Sequence, residues 1–225
     1  MKKISILLLI IAFNAPVFGQ NTEIRKLDAF TSLQVSEGID INLIKGKSPQ
    51  AKITVKGIDM KEVLTDVSGG ELKIHLDGHS HNNVDVSIDL TYVMLESITA
   101  SSAADVKSLS IIEASTFKIK ASSAADITLN IKVKDLDVKG SSAADILLSG
   151  SVDKQTVDIS SAADYKAFEL ISKFADISAS SASDAKINVT EQLVANANSG
   201  ASIKYKGNPD KIREHSSSGG DVEQY

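Results

Sequence analysis

Ser101-Ser102-Ala103-Ala104-Asp105 is followed by three verbatim copies, Ser122–Asp126, Ser141–Asp145 and Ser160–Asp164. The phrase then loosens to Ser180-Ser181-Ala182-Ser183-Asp184, Asn198-Ser199-Gly200-Ala201-Ser202 and Ser217-Ser218-Gly219-Gly220-Asp221. Its last residues stand 21, 19, 19, 20, 18 and 19 positions apart. A period near twenty, kept over seven copies, marks a repeat architecture in which each unit buries its apolar side only against its neighbours.

Working outward from the closing Asp, the chain alternates. Nine, seven and five positions before it stand Phe117, Ile119 and Ala121, then Leu136, Val138 and Gly140, then Gln155, Val157 and Ile159. Ala175, Ile177 and Ala179, and Leu193, Ala195 and Ala197, continue the series, while Lys118, Lys120, Asp137, Lys139, Thr156 and Asp158 fall between. After the corner the alternation resumes with Ile127 and Leu129, Ile146 and Leu148, Tyr165 and Ala167, Ala185 and Ile187, Ile203 and Tyr205. A two-residue period predicts strands with one buried face. No window shows apolar spacing of three and four, and about twenty residues are too few for a helical hairpin repeat. Strands recurring once per coil stack in parallel, about 4.8 Å apart. The predicted fold is therefore all-β, a parallel β-solenoid or β-helix with coils of about twenty residues, right-handed by the strong default for parallel crossovers. Small Ala and Gly let the corner bend without striking the coils above and below. Ser102, Ser123, Ser142, Ser161, Ser181 and Ser199 are expected to stack as a hydroxyl ladder able to bond corner backbone groups. The pattern leaves open whether that ladder points in or out, because a bend resets the alternation.

Met1-Lys2-Lys3 and the apolar run Ile4–Ala12, with Val17-Phe18-Gly19 beyond, read as a secretory signal peptide over residues 1–19. No Cys follows, which excludes a bacterial lipid anchor, and with no Cys anywhere stability falls to the stacked coils. No other apolar run reaches the roughly 18 residues of a membrane helix. Removing Lys2 and Lys3 from 24 basic residues leaves 22 against 29 acidic ones, a net charge of −7. With no basic cluster, nucleic acid is not an expected partner, and the acidic balance argues against anionic lipid. Residues 20–225 are expected to form a single solenoid domain, with 99–225 its regular Ser-Ala-Ala-Asp coils and 20–98 its irregular N-terminal beginning. In that first portion Leu33, Val35, Ile39, Ile41 and Leu43 flank Gly38, Leu72, Ile74 and Leu76 precede Asp77-Gly78, and Val84, Val86, Ile88 and Leu90 alternate. Met60–Leu64 suggests one helical turn, cut short by Gly69-Gly70. A terminal coil exposes unpaired strand edges, so atypical sequence is expected at both ends as capping.

The opening Phe30-x-x-Leu-x-Val-Ser-x-Gly38-Ile-Asp-Ile-Asn-Leu43, then Gly46, Gly57, the Gly70-Glu-Leu-Lys-Ile74 run, the Ser-rich corners and Tyr205-x-Gly207-x-Pro209 resemble the putative auto-transporter adhesin, head GIN domain family. The similarity spans almost all of the chain beyond the signal peptide. It implies a β-helix-like fold and an envelope or extracellular location, and it brings no catalytic residue to carry over. The chain departs from the family in using Ser-Ala-Ala-Asp where Ser-Gly-Ala-Ser is more frequent, which places an acidic column here.

That column, Asp105, Asp126, Asp145, Asp164 and Asp184, is the candidate site, with Asp221 further on. Carboxylates stacked one per coil at about 4.8 Å repel by roughly 0.9 kcal/mol in bulk-water dielectric and more near a protein surface. Two positions on, Lys107, Lys166, Lys186 and Lys204 share the same face and offset the repulsion, while Thr128 and Leu147 interrupt them. Asp is also a natural corner residue, because its carboxylate accepts from nearby amides. Calcium bridging neighbouring coils is the competing reading, but the nine-residue glycine-rich pattern of calcium β-rolls is missing. Paired carboxylates about 5 Å apart on adjacent coils also suit a retaining glycoside-cleaving enzyme. Such a site needs a walled cleft and aromatic platforms, whereas the coils are nearly uniform, Trp is absent and aromatics are 4%. His75, His79 and His81 lie near Asp77 and Asp85, but no third ligand is fixed by spacing, so no metal and no cofactor is assigned. No nucleophile elbow accompanies the abundant Ser. The expected protein is an exported, non-enzymatic binding or structural module of the bacterial envelope. Its repetitive polar face is suited to an extended glycan or a surface protein, and its place is the periplasm or the cell surface.

Overall fold

The computed structural model describes residues 21–78 and 84–225, so the expected signal peptide, His79 and His81 lie outside the described residues. The strands are β1 (Asn21–Lys26), β2 (Ser32–Val35), β3 (Asp40–Lys45), β4 (Gln50–Lys56), β5 (Val63–Ser68), β6 (Glu71–Leu76), β7 (Asp85–Tyr92), β8 (Ser97–Ala100) and β9 (Asp105–Ser108). The longer strands of the regular half follow: β10 (Ile112–Ala121), β11 (Asp126–Gly140), β12 (Asp145–Ile159), β13 (Asp164–Ala179) and β14 (Asp184–Asn198). The last coils hold β15 (Ser202–Lys206), β16 (Lys211–Ser217) and β17 (Asp221–Gln224). They wind as a β-solenoid of about seven turns with coils of roughly 19 residues.

From β8 onward every strand pairs in parallel with its counterpart one coil away. Ile98, Ile119 and Val138 stack in register, as do Ile127, Ile146, Tyr165, Ala185 and Ile203. The inward columns read from the alternation are buried without exception, including the polar Gln155, which is 0% exposed. Gln155 is accommodated by an internal chain of hydrogen bonds. The Tyr165 hydroxyl donates to Gln155 Oε1 (2.7 Å), Gln155 Nε2 to Ser172 Oγ (2.8 Å), and Ser172 Oγ to the Asn188 carbonyl (2.7 Å). Burial without solvent holds the Tyr165 phenol protonated well above its ordinary range.

The corner is a tight turn with two consecutive left-handed residues, Ser102 (φ 53°) and Ala103 (φ 60°), closed by the Ala104 amide donating to the Ser101 carbonyl (3.2 Å). Ser123-Ala124, Ser142-Ala143, Ser161-Ala162 and Ser181-Ala182 repeat it. Those two residues point to solvent, and the following Ala104, Ala125, Ala144 and Ala163 turn inward and are buried. The serine ladder therefore faces out. It does not satisfy the corner, as the sequence suggested it would. The backbone does so itself, because the third corner amide donates to the second corner carbonyl of the next coil, as Ala103 to Ser123, Ala124 to Ser142 and Ala143 to Ser161, each 3.0 Å. A left-handed conformation costs a residue with a Cβ about 1 kcal/mol or more. Ala143→Gly removes that strain and no buried contact, so calorimetry is expected to show a gain of about 1 kcal/mol. A loss would mean that the exposed methyl group contributes to packing.

The first portion departs from the expected simple beginning of the same winding. Residues Ser36-Glu37-Gly38-Ile39-Asp40 form a further copy of the corner, with Glu37 and Gly38 both at φ 66° and the Gly38 amide donating to the Ser102 carbonyl (2.9 Å). This β2–β3 coil lies between β6–β7 on one side and β8–β9 on the other, so the coils are stacked out of chain order. The outermost layer is antiparallel: β4 pairs with β7 and β1, and β5 pairs with β6 through a Gly69-Gly70 turn. A three-residue 3-10 turn at Met60–Glu62 supplies the expected helical turn, capped by the Asp59 carboxylate. Arg25 ties β1 to the opposite wall, donating to the carbonyls of Val63 (2.5 Å) and Met60 (2.9 Å). These hairpins cover the core where a plain coil would leave its apolar interior open. At the other end β16 is exposed along its whole length, and Lys211, Arg213, Glu214 and His215 line its edge, charges that discourage strand addition.

A candidate polar face

The in-register stack brings the predicted aspartates together. Asp105, Asp126, Asp145, Asp164 and Asp184 are successive partners along the strands that leave the corner, continued by Ser202 and Asp221. Asp40 precedes them as the partner of Asp105, a member the sequence reading missed. Two positions on runs the second column, Asn42, Lys107, Thr128, Leu147, Lys166, Lys186 and Lys204, ending at Glu223.

Three carboxylates of the column, Asp105, Asp145 and Asp164, are met by lysines of the same face. Lys166 lies between two coils, 2.7 Å from Asp145 Oδ1 and 3.2 Å from Asp164 Oδ2. Lys107 binds Asp105 Oδ2, and Lys204 lies 2.5 Å from Glu223. The hydrogen bonds that Lys107, Lys166 and Lys204 donate to these carboxylates hold their ammonium groups above the ordinary range. Asp105 Oδ1 is buried and has no hydrogen-bond partner. Among the described residues Asp126 makes no ion pair, since Thr128 and the exposed Leu147 stand where lysines would. Partial desolvation, then repulsion from Asp145 and Asp105, raises its pKa. Asp40 is raised in the same way, by desolvation and by Asp105.

A carboxyl whose folded pKa lies above its unfolded value destabilises the fold while ionised, and relief comes as pH falls through the folded value. Asp126→Asn removes the charge and keeps the shape. Its melting temperature is expected to exceed the wild type's at pH 7, with the gap closing as pH falls towards 4. A gap that is absent at pH 7, or that widens on acidification, would contradict this reading of the column.

Around Asp126 the face forms a shallow open depression of about 270 Å³ between Lys107 and Lys166. The flanking corners are four-residue turns, so no long connection walls a cleft here. Among the described residues no three His, Asp or Glu side chains converge as a metal cluster would require. His75 Nε2 lies 3.3 Å from Asp66 across the β5–β6 hairpin.

Taken together, the features define a parallel β-solenoid with a laddered polar face. The chain belongs to the family described as putative auto-transporter adhesin, head GIN domain, whose model matches residues 29–209. Solved structures share the fold at low identity. A putative adhesin from Bacteroides fragilis superposes with a TM-score of 0.84 at 16% identity, covering 93% of this chain and 99% of that one. One from Parabacteroides merdae gives 0.76 at 19%, covering 92% and 96%. A structure titled putative lipid binding protein, from Parabacteroides distasonis, gives 0.71 at 18%, also covering 92% and 96%. No curated protein matches the chain. No helix among the described residues is long and apolar enough to cross a membrane.

Proposed function

We propose that the protein is an exported, non-enzymatic, adhesin-like module of the bacterial envelope, which holds an extended glycan or a surface protein along its polar face. One observation carries this reading: a carboxylate column broken only at Ser202 and, two positions on, a mixed column that includes four lysines stay in register from Asp40 to Asp221 on an open face. Such a face offers the same contact once per coil, and repeated weak contacts to a linear polymer multiply into avidity. Because the lysines neutralise much of the column, recognition rests on hydrogen bonds spread over several coils rather than on net charge. Asp105, Asp126, Asp145, Asp164 and Asp184 are the residues assigned to that contact. The family description supports the reading.

Screening residues 20–225 on a glycan array, with pull-down from envelope extracts, provides the test. Long polymers are expected to bind better than their monomers, and Asp126→Lys with Asp145→Lys to weaken binding without unfolding the chain. Release of reducing ends from a glycan, lost in Asp126→Asn or Asp145→Asn, would overturn the proposal in favour of an enzyme.

A further inference from the structure

The regular winding is interrupted around Phe168. The coil from Asp164 to Asp184 is one residue longer than the two before it. Its pairing with β12 runs through Leu147 opposite Lys166 and resumes at Ser149 opposite Glu169. On the other side Ala167 faces Ile187 and pairing resumes only at Ile171 opposite Asn188. Phe168 lies in that bulge. Bulges re-aim side chains and recur beside functional sites. Here the bulge carries Phe168 past the next coil, and Asn188 Nδ2 donates to its carbonyl (3.3 Å).

The ring meets Tyr225, one residue beyond β17, at 5.2 Å between centroids and a tilt of 41°. Lys206 sits between them, its ammonium 4.4 Å from the Phe168 centroid and 5.4 Å from that of Tyr225. Tyr225 is 77% exposed, and its backbone is tied to the preceding coil, its amide donating to the Tyr205 carbonyl (2.8 Å). The preceding Gln224 donates to the Gly207 carbonyl (2.9 Å) and lies 3.3 Å from Asn208 Oδ1. Gly207 is demanded there, because at φ 98° an added Cβ would lie 2.0 Å from the Val189 carbonyl oxygen.

We propose that Phe168, Lys206 and Tyr225 form a stacking platform for a pyranose ring of a glycan, with Asn188, Asn208 and Gln224 as its polar rim. The inference rests on the glycan reading above and gives it a location. An exposed aromatic face flanked by a cation offers contact area, and an aromatic side chain has only two torsions to order on binding. The C–H face of a sugar can lie flat on the Tyr225 ring while its hydroxyls reach amide and ammonium donors. An apolar peptide side chain would instead need a concave pocket, and the Tyr225 ring projects into solvent.

The test uses residues 20–225 and three probes: a β-1,4-linked N-acetylglucosamine tetrasaccharide, a β-1,4-glucan hexasaccharide and an α-mannan oligosaccharide. Aromatic NMR resonances and tyrosine emission report binding, and the glycan array widens the search. At least one sugar is expected to shift the Tyr225 and Phe168 resonances. Tyr225→Ala is expected to weaken that binding about tenfold or more with the melting temperature unchanged, and Tyr225→Trp to retain it. Equal binding by Tyr225→Ala would overturn the platform and leave the glycan reading standing. Wild type silent towards the probes and the whole array would overturn both. Capture of a surface protein that depends on Tyr225, with no sugar bound, would overturn the sugar assignment.

Discussion

Ile119→Asp is expected to cost about 4 kcal/mol or more, enough to unfold much of the chain at 37 °C. Ile119 is 1% exposed and stacks between Ile98 and Val138, so the new carboxylate would be buried between two coils with no partner. The lost isoleucine contacts add to that penalty. Lys118→Asp, one residue away on the exposed side, is expected to change stability by no more than about 0.5 kcal/mol. Urea titration of the two variants distinguishes them, and equal effects would contradict the alternation on which the coil is built.

The second large effect belongs to a glycine. Gly150 pairs with Ile131 of the preceding coil at φ 111°, and an added Cβ would lie 2.1 Å from the Ile131 carbonyl oxygen and 2.9 Å from Asn130 Oδ1. That oxygen belongs to a buried residue in a paired strand and cannot move aside cheaply. Gly150→Ala is expected to lose about 3 kcal/mol or more by thermal or urea unfolding. Gly219→Ala is the contrast, because at φ 79° the added methyl group meets nothing within 4 Å. Its cost is backbone strain alone, about 1 kcal/mol. Similar losses from both would show that steric contact at Gly150 does not decide its identity.

How legible the fold was depends on the same stacking. Phe117, Ile119, Ile127 and their counterparts were readable because a parallel stack repeats one environment per coil, and sequence follows environment. The direction of the serine ladder was not, since two left-handed residues in a row undo the alternation that would have set it. The corner at Ser36–Asp40 escaped notice because it keeps only the first Ser and the last Asp and carries Ile39 where later coils carry Ala. Its place between β6–β7 and β8–β9 was beyond any periodic reading, because antiparallel hairpins send the chain out and back before regular winding starts. Gln155 is a polar member of an otherwise apolar column. Its meaning comes from Tyr165 and Ser172, which reach it from the next coil.

The candidate face divides in the same way. The Asp column could be read because it recurs at a fixed place in successive coils, with Lys two positions on in four of them, and Lys166 pairs as that offset implies. Asp40 could have been found by asking which Asp follows a Gly and precedes alternating Ile41 and Leu43. The Phe168–Tyr225 pair had no such signal. It joins residues 57 positions apart through a bulge, and a one-residue lengthening of the coil was its sole trace.

Nitroxide pairs on this cysteine-free chain measure the stack directly, by pulsed dipolar spectroscopy on labelled cysteines placed at Asp40, Asp105, Asp184 and Asp221. At about 4.8 Å per coil, the backbone separation of positions 105 and 184 is expected to be about 19 Å, and that of 105 and 221 about 29 Å. The out-of-order N-terminal coil puts positions 40 and 184 about 24 Å apart. A distance of about 29 Å or more for that last pair would mean that the coils follow chain order, and the absence of a linear increase from 184 to 221 would rule out the in-register solenoid itself.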